Sequence, residues 1–547
     1  MADLGINVKH FLLLLIVCFF SFFANNYFIP ADLMESRNLA TAQEMVARGN
    51  YMTPTMNGEL RLEKPPLPTW IAAAINHVIP DNISAQRCAA GVAAVFLVFF
   101  LYLIVFEFSQ KQTLALFASL VLATSYNVVM MGRTATWDIY CHSFMLGAIY
   151  FMVRAFNGKG AQWGYFIVSG LLMGLSFLSK GPVSFFALLL PFLISYFIFF
   201  RPDFEHKVLP FIGMIMICLA MSLWWPAYIY LFYKDWSTHI ADKESSSWIN
   251  HNVRSWYYYW QFAAESGIWA FFWITSLVWP YWKKRFEGDL RTKKIYLFSV
   301  LWTLSALVLL SLIPEKKTRY LLPMLIPGAF NISLCLFYFV RNKLKPKEEI
   351  LFKVNISVIL LVLISLPIAL YIMFLRQGYL DIWLFVVITL LCLALAAAMY
   401  HYTFRSVNRR IGSIFCIVGI MMLVESLCFI PASKLFINND RHSIRETRTI
   451  SELQHLPFYY VETEGLRIEL VYESNRIIRS LDIRNDSVVR SKLPFVLLSG
   501  LAPDSLFSGL SRVSVDVVGV YDNNWQKVGS KKYNKNLVRY VSIIKAR

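Results

Sequence analysis

Hydrophobic and polar positions in this chain come in blocks rather than in alternation. Apolar runs of roughly 16 to 25 residues recur as far as about residue 430, broken by short polar loops. A helix needs about 20 mostly apolar residues to cross the ~30 Å hydrocarbon core, where backbone N–H and C=O groups find no other partners. Spans are therefore expected near 9–29, 87–107, 113–131, 136–155, 163–178, 182–200, 208–230, 266–282, 295–313, 321–340, 350–374, 379–402 and 411–430, thirteen in all. The first run, "FLLLLIVCFFSFFANNYFI", follows Lys9 and His10, and no small-residue cleavage site comes after it. It reads as an uncleaved first span rather than a removable signal.

Past residue 430 the pattern changes. Short β-branched and aromatic runs ("FYYVE", "LRIELVYE", "FVLLSG", "VDVVGVYD", "LVRYVSIIK") alternate with turn formers such as "RNDS", "APDS" and "DNN", which is the signature of a small α/β domain. The expected fold is an all-α polytopic membrane domain of about 13 transmembrane helices with a small C-terminal external α/β domain. The expected boundaries are 1–430 for the membrane domain, with a first loop at 30–86 carrying amphipathic juxtamembrane helices, and 431–547 for the tail.

Composition agrees: 57% of residues are hydrophobic and 16% aromatic, above the ~45–50% apolar share of soluble domains. The net charge of +18 would suggest nucleic acid in a soluble protein, but here its placement decides its meaning. The loops "KKRFEGDLRTKK", "RNKLKPKEE" and "RSVNRR" are the most basic, so an N-terminus inside satisfies the positive-inside rule. Thirteen spans then deliver the tail to the external face. The expected partners are membrane lipids, not nucleic acid. All eight cysteines lie in or beside apolar runs without metal-ligand spacing and read as packing residues.

The external segments hold cations that oppose the same rule, among them Arg37, Arg61, Lys64, Arg133, Arg254, Lys316, Lys317 and Arg319. In the first loop, "ADLMESRNLATAQEMVARGN" reads as an amphipathic helix, with Asp32 and Glu35 at i and i+3 on one face. They are either a carboxylate pair with a general base in it or the wet face of an interfacial helix. Asp138 in "GRTATWDIY" opens a span. It is either a functional carboxylate or a helix N-terminal charge beside a Thr134 or Thr136 cap. Lys180 of "LSKGPV" reads as a snorkelling lysine at a helix end. "PEKKTRYLLP" crowds Lys316, Lys317, Arg319 and Tyr320 at one helix mouth, a composition suited to phosphate. Lys64, preceded by Glu63 and fixed by the following Pro65 and Pro66 in an extended backbone, is a second donor of that kind. Carboxylates on one wall and cations on another suit group transfer from a phosphate leaving group to a hydroxyl.

The ordered series "MESRNLATAQEMVARGNYMTPTMNGELRLEKPPLPTW", "RTATWDIY", "LSKGPV", "NVRSWYYY" and "KKTRYLLPMLIP" resembles the membrane glycosyltransferases of the C-type fold. It is most similar to the aminoarabinose transferases that modify lipid A and to related polyprenyl-phosphate-sugar transferases. The resemblance covers most of residues 10–330, with "NGxxxxEKPPL" its most specific part. It implies an inverting transfer from a polyprenyl-phosphate sugar donor to a glycolipid such as lipid A, at the periplasmic face of a bacterial inner membrane. A protein hydroxyl acceptor, and a lipid-linked sugar flippase, are the alternatives. By the resemblance, an acidic residue of the first loop and Asp138 line the catalytic site, and Lys64, Arg254 and Tyr320 face the donor phosphate; the composition of the cationic cluster adds Lys317 and Arg319 as phosphate donors. Glu63, Arg37 and Lys180 support them. Met34 stands where relatives carry an Asp, so the base is open among Glu35, Asp138 and Asp32. No cofactor is required by the residues, and a divalent metal has no ligand cluster to support it.

Overall fold

The computed structural model describes residues 7–406, 409–438, 441–507 and 513–547; positions 407 and 408 of the expected basic loop 405–410 lie outside the described residues. Contacts divide the chain into two compact units. One comprises 1–26, 63–68 and 84–429, the other 27–62, 69–83 and 430–547. The first loop thus groups with the tail, whereas the apolar pattern had attached it to the membrane domain.

The first unit is mainly helical. Every expected apolar run falls on a helix, but the lengths differ. Among the described residues nine helices are long and apolar enough to span, and the pair Gln112–Ala123 and Tyr126–Gly132, bent by 68°, makes ten if counted as one. Val8–Phe23, Phe185–Phe199 and Gly267–Ser276 are apolar but shorter. At ~1.5 Å per residue, none of these three reaches 30 Å, so hydropathy alone overstated their reach. The bend at 124–125 is stabilised locally: Thr124 Oγ1 donates to Leu120 O at 2.6 Å and Ser125 Oγ to Val121 O at 2.7 Å. Leu120 O also accepts from Thr124 N at 3.1 Å, so the hydroxyls add to the backbone bonding around the break.

Close helix packing positions the site. Trp163–Lys180 packs on both Trp137–Asn157 and Val208–Phe232. Gly170 and Gly174, four apart, face the latter. A Cβ at Gly174 would lie 2.3 Å from Met221 Cβ, and one at Gly170 2.5 Å from Met214 O. This small-xxx-small spacing lets two backbones approach where lipid offers no hydrophobic drive. At one end of the bundle the loops expected on the inside meet, with Lys111 Nζ 2.9 Å from Asp289 Oδ2 and Arg291 Nε donating to Phe108 O at 2.8 Å. Asp289 caps Leu290–Leu312 through Thr292 N. Burial works against its charge, but the Thr292 bonds and Lys111 bring its pKa down to about 2.

Several cations of the other loops hold backbone. Arg133 donates to the carbonyls of Ser21 (2.6 Å), Ala24 (2.7 Å) and Phe20 (2.6 Å) around the π turn Phe19–Phe23. Arg87 Nη1 donates to Asn26 O at 2.6 Å. Buried Lys316 donates to Ser311 O and Ile313 O, carbonyls at the C-terminal end of Leu290–Leu312, where a helix dipole favours a cation.

The second unit joins the helix Leu33–Arg48, the hairpin β1 (Thr55–Met56) and β2 (Glu59–Leu60), and the tail sheet. The tail strands are β3 (Phe458–Val461), β4 (Ile478–Leu481), β5 (Phe495–Ser499), β6 (Val513–Asp522) and β7 (Val538–Ala546), in the order β4-β3-β5-β7-β6. The β3 strand runs parallel to β4 and β5, and the β5–β7 and β6–β7 pairs are antiparallel. Tyr459, Val461, Leu481, Val489, Phe495 and Leu497 form its core.

Asn57 and Gly58 turn the hairpin with φ of 57° and 81°, the left-handed pair that a two-residue Asn-Gly turn requires. Buried Glu44 holds that turn by accepting from Thr55 Oγ1 (2.7 Å), Gly58 N (3.1 Å) and Asn57 N. The Asn57 side chain then pairs with the first residue of edge strand β4, donating to Ile478 O at 2.8 Å and accepting from Ile478 N at 2.7 Å. Asp81 adds a second tie, 2.5 Å from Arg445 Nη2 and 2.7 Å from Arg448 Nη1.

Candidate active site

Asp138 and Lys180 reach each other because of how two helices end. Trp137–Asn157 begins one residue before Asp138. Trp163–Lys180 stops at Lys180 because Gly181 takes φ +71° and Pro182 brings no amide hydrogen. Asp138 is 1% exposed, and its Oδ1 accepts from Lys180 Nζ. The expected hydroxyl cap is not made: Thr136 forms no side-chain bond to the helix amides. Asp138 Oδ2 and the Nδ1 of His142, one turn further on, are both buried with no hydrogen-bond partner among the described residues. Lys180 is thus no snorkelling lysine. It is the counter-ion of a buried carboxylate.

The segment 314–320 forms the facing wall. Its backbone pairs with 252–254, through the Val253 to Glu315 bridge, Arg254 N to Pro314 O at 3.3 Å and Lys316 N to Asn252 O at 3.2 Å. That pairing brings the "NVRSWYYY" and "PEKKTRY" stretches together. Tyr320 is the hub. Lys180 Nζ lies 4.9 Å, Lys317 Nζ 5.6 Å and Arg319 Cζ 5.9 Å from its ring centroid, within the ~6 Å reach of cation–π attraction. Its hydroxyl donates to Glu315 Oε2 at 3.2 Å, while Glu315 Oε1 takes Lys317 Nζ at 2.5 Å and faces His251 Nδ1 at 3.3 Å. Burial works against the charge on Glu315, but Lys317, His251 and Tyr320 hold its carboxyl below the ordinary value. Arg319 Nε is buried with no hydrogen-bond partner among the described residues. A cavity of about 50 Å³ opens between His142, Glu315, Tyr320 and Pro323, room for a water or a small polar group.

Of the expected residues, Asp138, Lys180, Lys317, Arg319 and Tyr320 form this one cluster, and Arg254 lies exposed on the strand-like segment that pairs with it. Lys64 and Glu63 are half-buried on a bend before Leu67–Val78 rather than on an extended stretch. Asp32, Glu35 and Arg37 belong to the second unit. There Asp32 and Glu35 do not share a face. Asp32 is the exposed N-cap of Leu33–Arg48, its Oδ1 accepting from Met34 N (2.9 Å) and Glu35 N (2.8 Å), while Glu35 is 1% exposed. The i, i+3 relation holds only inside a helix, and the cap lies outside it. Arg37 Nη1 is 4.0 Å from Met34 Sδ, and its carbonyl accepts from Arg61 Nη1 at 3.0 Å.

Sequence reading missed Glu315, His251, Asn127 and Glu265. Asn127 Nδ2 donates to Glu265 Oε2 at 3.0 Å and to Thr318 O at 3.2 Å, which fixes the backbone just before Arg319. Only the "PEKK" spacing of Glu315 to Lys317 hinted at any of them. Among the described residues no group of three or more His, Cys, Asp or Glu is placed to hold a metal ion.

Residues 63–225 match the family model described as dolichyl-phosphate-mannose-protein mannosyltransferase. An uncharacterized protein of Aquifex aeolicus is 26% identical over 319 residues, 58% of this chain and 62% of that protein. The undecaprenyl phosphate-alpha-4-amino-4-deoxy-L-arabinose arabinosyl transferase of Aeromonas hydrophila is 24% identical over 355 residues, 62% of this chain and 61% of its own. The chain thus spans about three fifths of the length of these relatives. The crystal structure of ArnT from Cupriavidus metallidurans bound to undecaprenyl phosphate superposes with a TM-score of 0.68 at 15% identity, covering 98% of this chain and 97% of that one. The chain accordingly has the fold of that ArnT, the C-type glycosyltransferase fold.

Proposed function

We propose that this protein is an inverting glycosyltransferase that moves a sugar from undecaprenyl phosphate, or a similar polyprenyl phosphate, to a glycolipid of the lipid A kind at the periplasmic face of a bacterial inner membrane. The observation that carries the reading is the pairing of a buried carboxylate, Asp138, with three cations gathered on Tyr320. Three cations to two carboxylates leave a positive excess suited to a phosphate monoester or diester. In the transfer, an acceptor oxygen attacks the anomeric carbon as the bond from that carbon to the phosphate oxygen breaks. The acceptor proton passes to a carboxylate, and the carrier phosphate leaves with the bonding pair.

Lys317, Arg319 and Tyr320 oppose the growing phosphate charge, with Lys64 and Arg254 as further donors. In this reading Asp138 takes the hydroxyl proton, through the Oδ2 that has no hydrogen-bond partner among the described residues. Lys180 is the partner that orients that carboxylate. Glu35 is the alternative base, with Asp32 as helix cap. A protein hydroxyl acceptor is the second reading, favoured by the family model over 63–225.

The test incubates purified protein with undecaprenyl-phosphate carrying a labelled sugar, and with lipid A or a serine- and threonine-rich peptide in parallel. Label should move to lipid A, and Lys317→Ala and Lys64→Ala should slow it. Label on the peptide alone would select the second reading. Donor left intact with every acceptor, while labelled lipid crosses vesicles, would replace both readings by a flippase.

A further inference from the structure

The second unit contains a polar cavity that the transfer chemistry does not use. It has a volume of about 190 Å³ and lies between the start of Leu33–Arg48 and the tail segments around Arg467 and 523–526. All of its lining residues belong to that unit. We propose that it is a binding pocket for a single neutral sugar ring, such as one residue of a glycan acceptor.

Size is the first argument. Pockets for drug-sized ligands run from about 300 to 1,000 Å³, so this one takes one ring rather than a chain. Charge is the second. Arg441, Arg467 and Lys532 are matched by Asp32, Glu469 and Glu473 around the same cavity, so the walls carry no excess that would select a phosphate, unlike the cluster at Tyr320.

The third argument is a lining that mixes hydrogen-bond donors and acceptors. Asn523 is 5% exposed. Its Oδ1 accepts from Ser443 Oγ at 2.9 Å and Ile444 N at 3.1 Å, while its Nδ2 has no partner among the described residues. Glu469 Oε1 takes Arg467 Nη2 at 2.5 Å, while Glu469 Oε2 and Arg467 Nε are buried with no hydrogen-bond partner among the described residues. Asn523, Glu469 and Arg467 all line the cavity, so donor and acceptor groups occur together on its wall. Vicinal hydroxyls, each one donor and an acceptor, meet both kinds.

Trp525 supplies the apolar face that a pyranose presents its C–H groups to. It is half-buried, with its carbonyl accepting from Asn438 N at 2.8 Å and its neighbour Gln526 bridged to Ile437. The preceding loop is stiffened by Asn524, whose Nδ2 donates to Asp522 Oδ1 and Asn534 O, both at 2.8 Å, and whose Oδ1 accepts from Asn534 N at 2.7 Å. The pocket is therefore formed before a ligand arrives.

The proposal stands apart from the transferase reading, since the pocket can bind in a protein that transfers nothing. Saturation-transfer NMR on the full-length protein in detergent, with methyl glycosides of glucose, galactose, mannose and N-acetylglucosamine, tests it. At least one glycoside should bind, with Kd raised tenfold or more by Trp525→Ala and by Glu469→Gln, held within a few-fold by Trp525→Phe, and unchanged by Asp138→Asn. The proposal is overturned if no glycoside binds, if Glu469→Gln and Trp525→Ala leave Kd where it was, or if inorganic phosphate competes. Loss of binding in Asp138→Asn would overturn it too, by placing the glycoside at the membrane-unit cluster.

Discussion

Replacing Asp138 by Asn leaves Lys180 with its charge and without its counter-ion, at a site where the lysine side chain keeps only 11% of its surface and the carboxylate 1%. Breaking one side of a buried pair costs roughly 3–5 kcal/mol, whereas removing both charges with a volume-matched apolar partner is often neutral. Asp138→Asn should therefore lose about 3 kcal/mol of stability, the lower end because Lys180 retains some exposure. Asp138→Asn/Lys180→Met should recover most of it. Turnover should not follow stability. Taking Asp138 as the base, both variants should transfer sugar about 10²–10⁴-fold more slowly. Unfolding in detergent, followed by tryptophan fluorescence, reads the first quantity, and release of labelled sugar from the lipid carrier reads the second. A double variant that is both stable and active within a few-fold of wild type would reduce Asp138 to a structural ion pair and remove it from the mechanism.

Asn57→Ala loses two hydrogen bonds to Ile478 and places alanine at φ 57°. About 2–4 kcal/mol of the second unit's stability should go, read as faster amide exchange in β4, while Asn57→Gly should lose less. Gly174→Leu would drive a side chain into Met221 and should shift the protein to aggregate on size-exclusion chromatography, with Gly174→Ala intermediate. Burial raises the Asp81 carboxyl, but Arg445 and Arg448 hold it below its ordinary value of 3.8. Its contribution is thus present above that value and lost as pH falls through the lower, folded-state one. Proteolysis of the 69–83 segment should accelerate below about pH 4 in wild type, and Asp81→Asn should show the faster cleavage already at pH 7.

The helices were legible because hydrocarbon allows the backbone no other solution, so thirteen apolar runs could be marked without any knowledge of packing. Their lengths were not, since a π turn at Phe19–Phe23 or a bend at Thr124 depends on which carbonyls a neighbour accepts. Asp138 and Tyr320 stood out as polar groups at the edge of apolar blocks. Their partners did not: Glu315 looked like part of a cationic patch, and Lys180 like a lipid-facing lysine, because pairing across 42 residues leaves no local trace. The external cations illustrate the same limit. Composition could not separate Arg133, which donates to three carbonyls, from Lys317, which faces the cluster.

The clamp between Asn57 and Ile478 joins residues 421 positions apart. At a synthesis rate of roughly 5–20 residues per second, the hairpin waits about 20–85 s for the strand it grips. Throughout that interval Leu33–Arg48 is made but its covering tail is not, so an early stop codon would leave a finished bundle with an orphaned loop. Truncations near the C-terminus should thus be recognised by quality-control proteases through their first hundred residues rather than through the cut end.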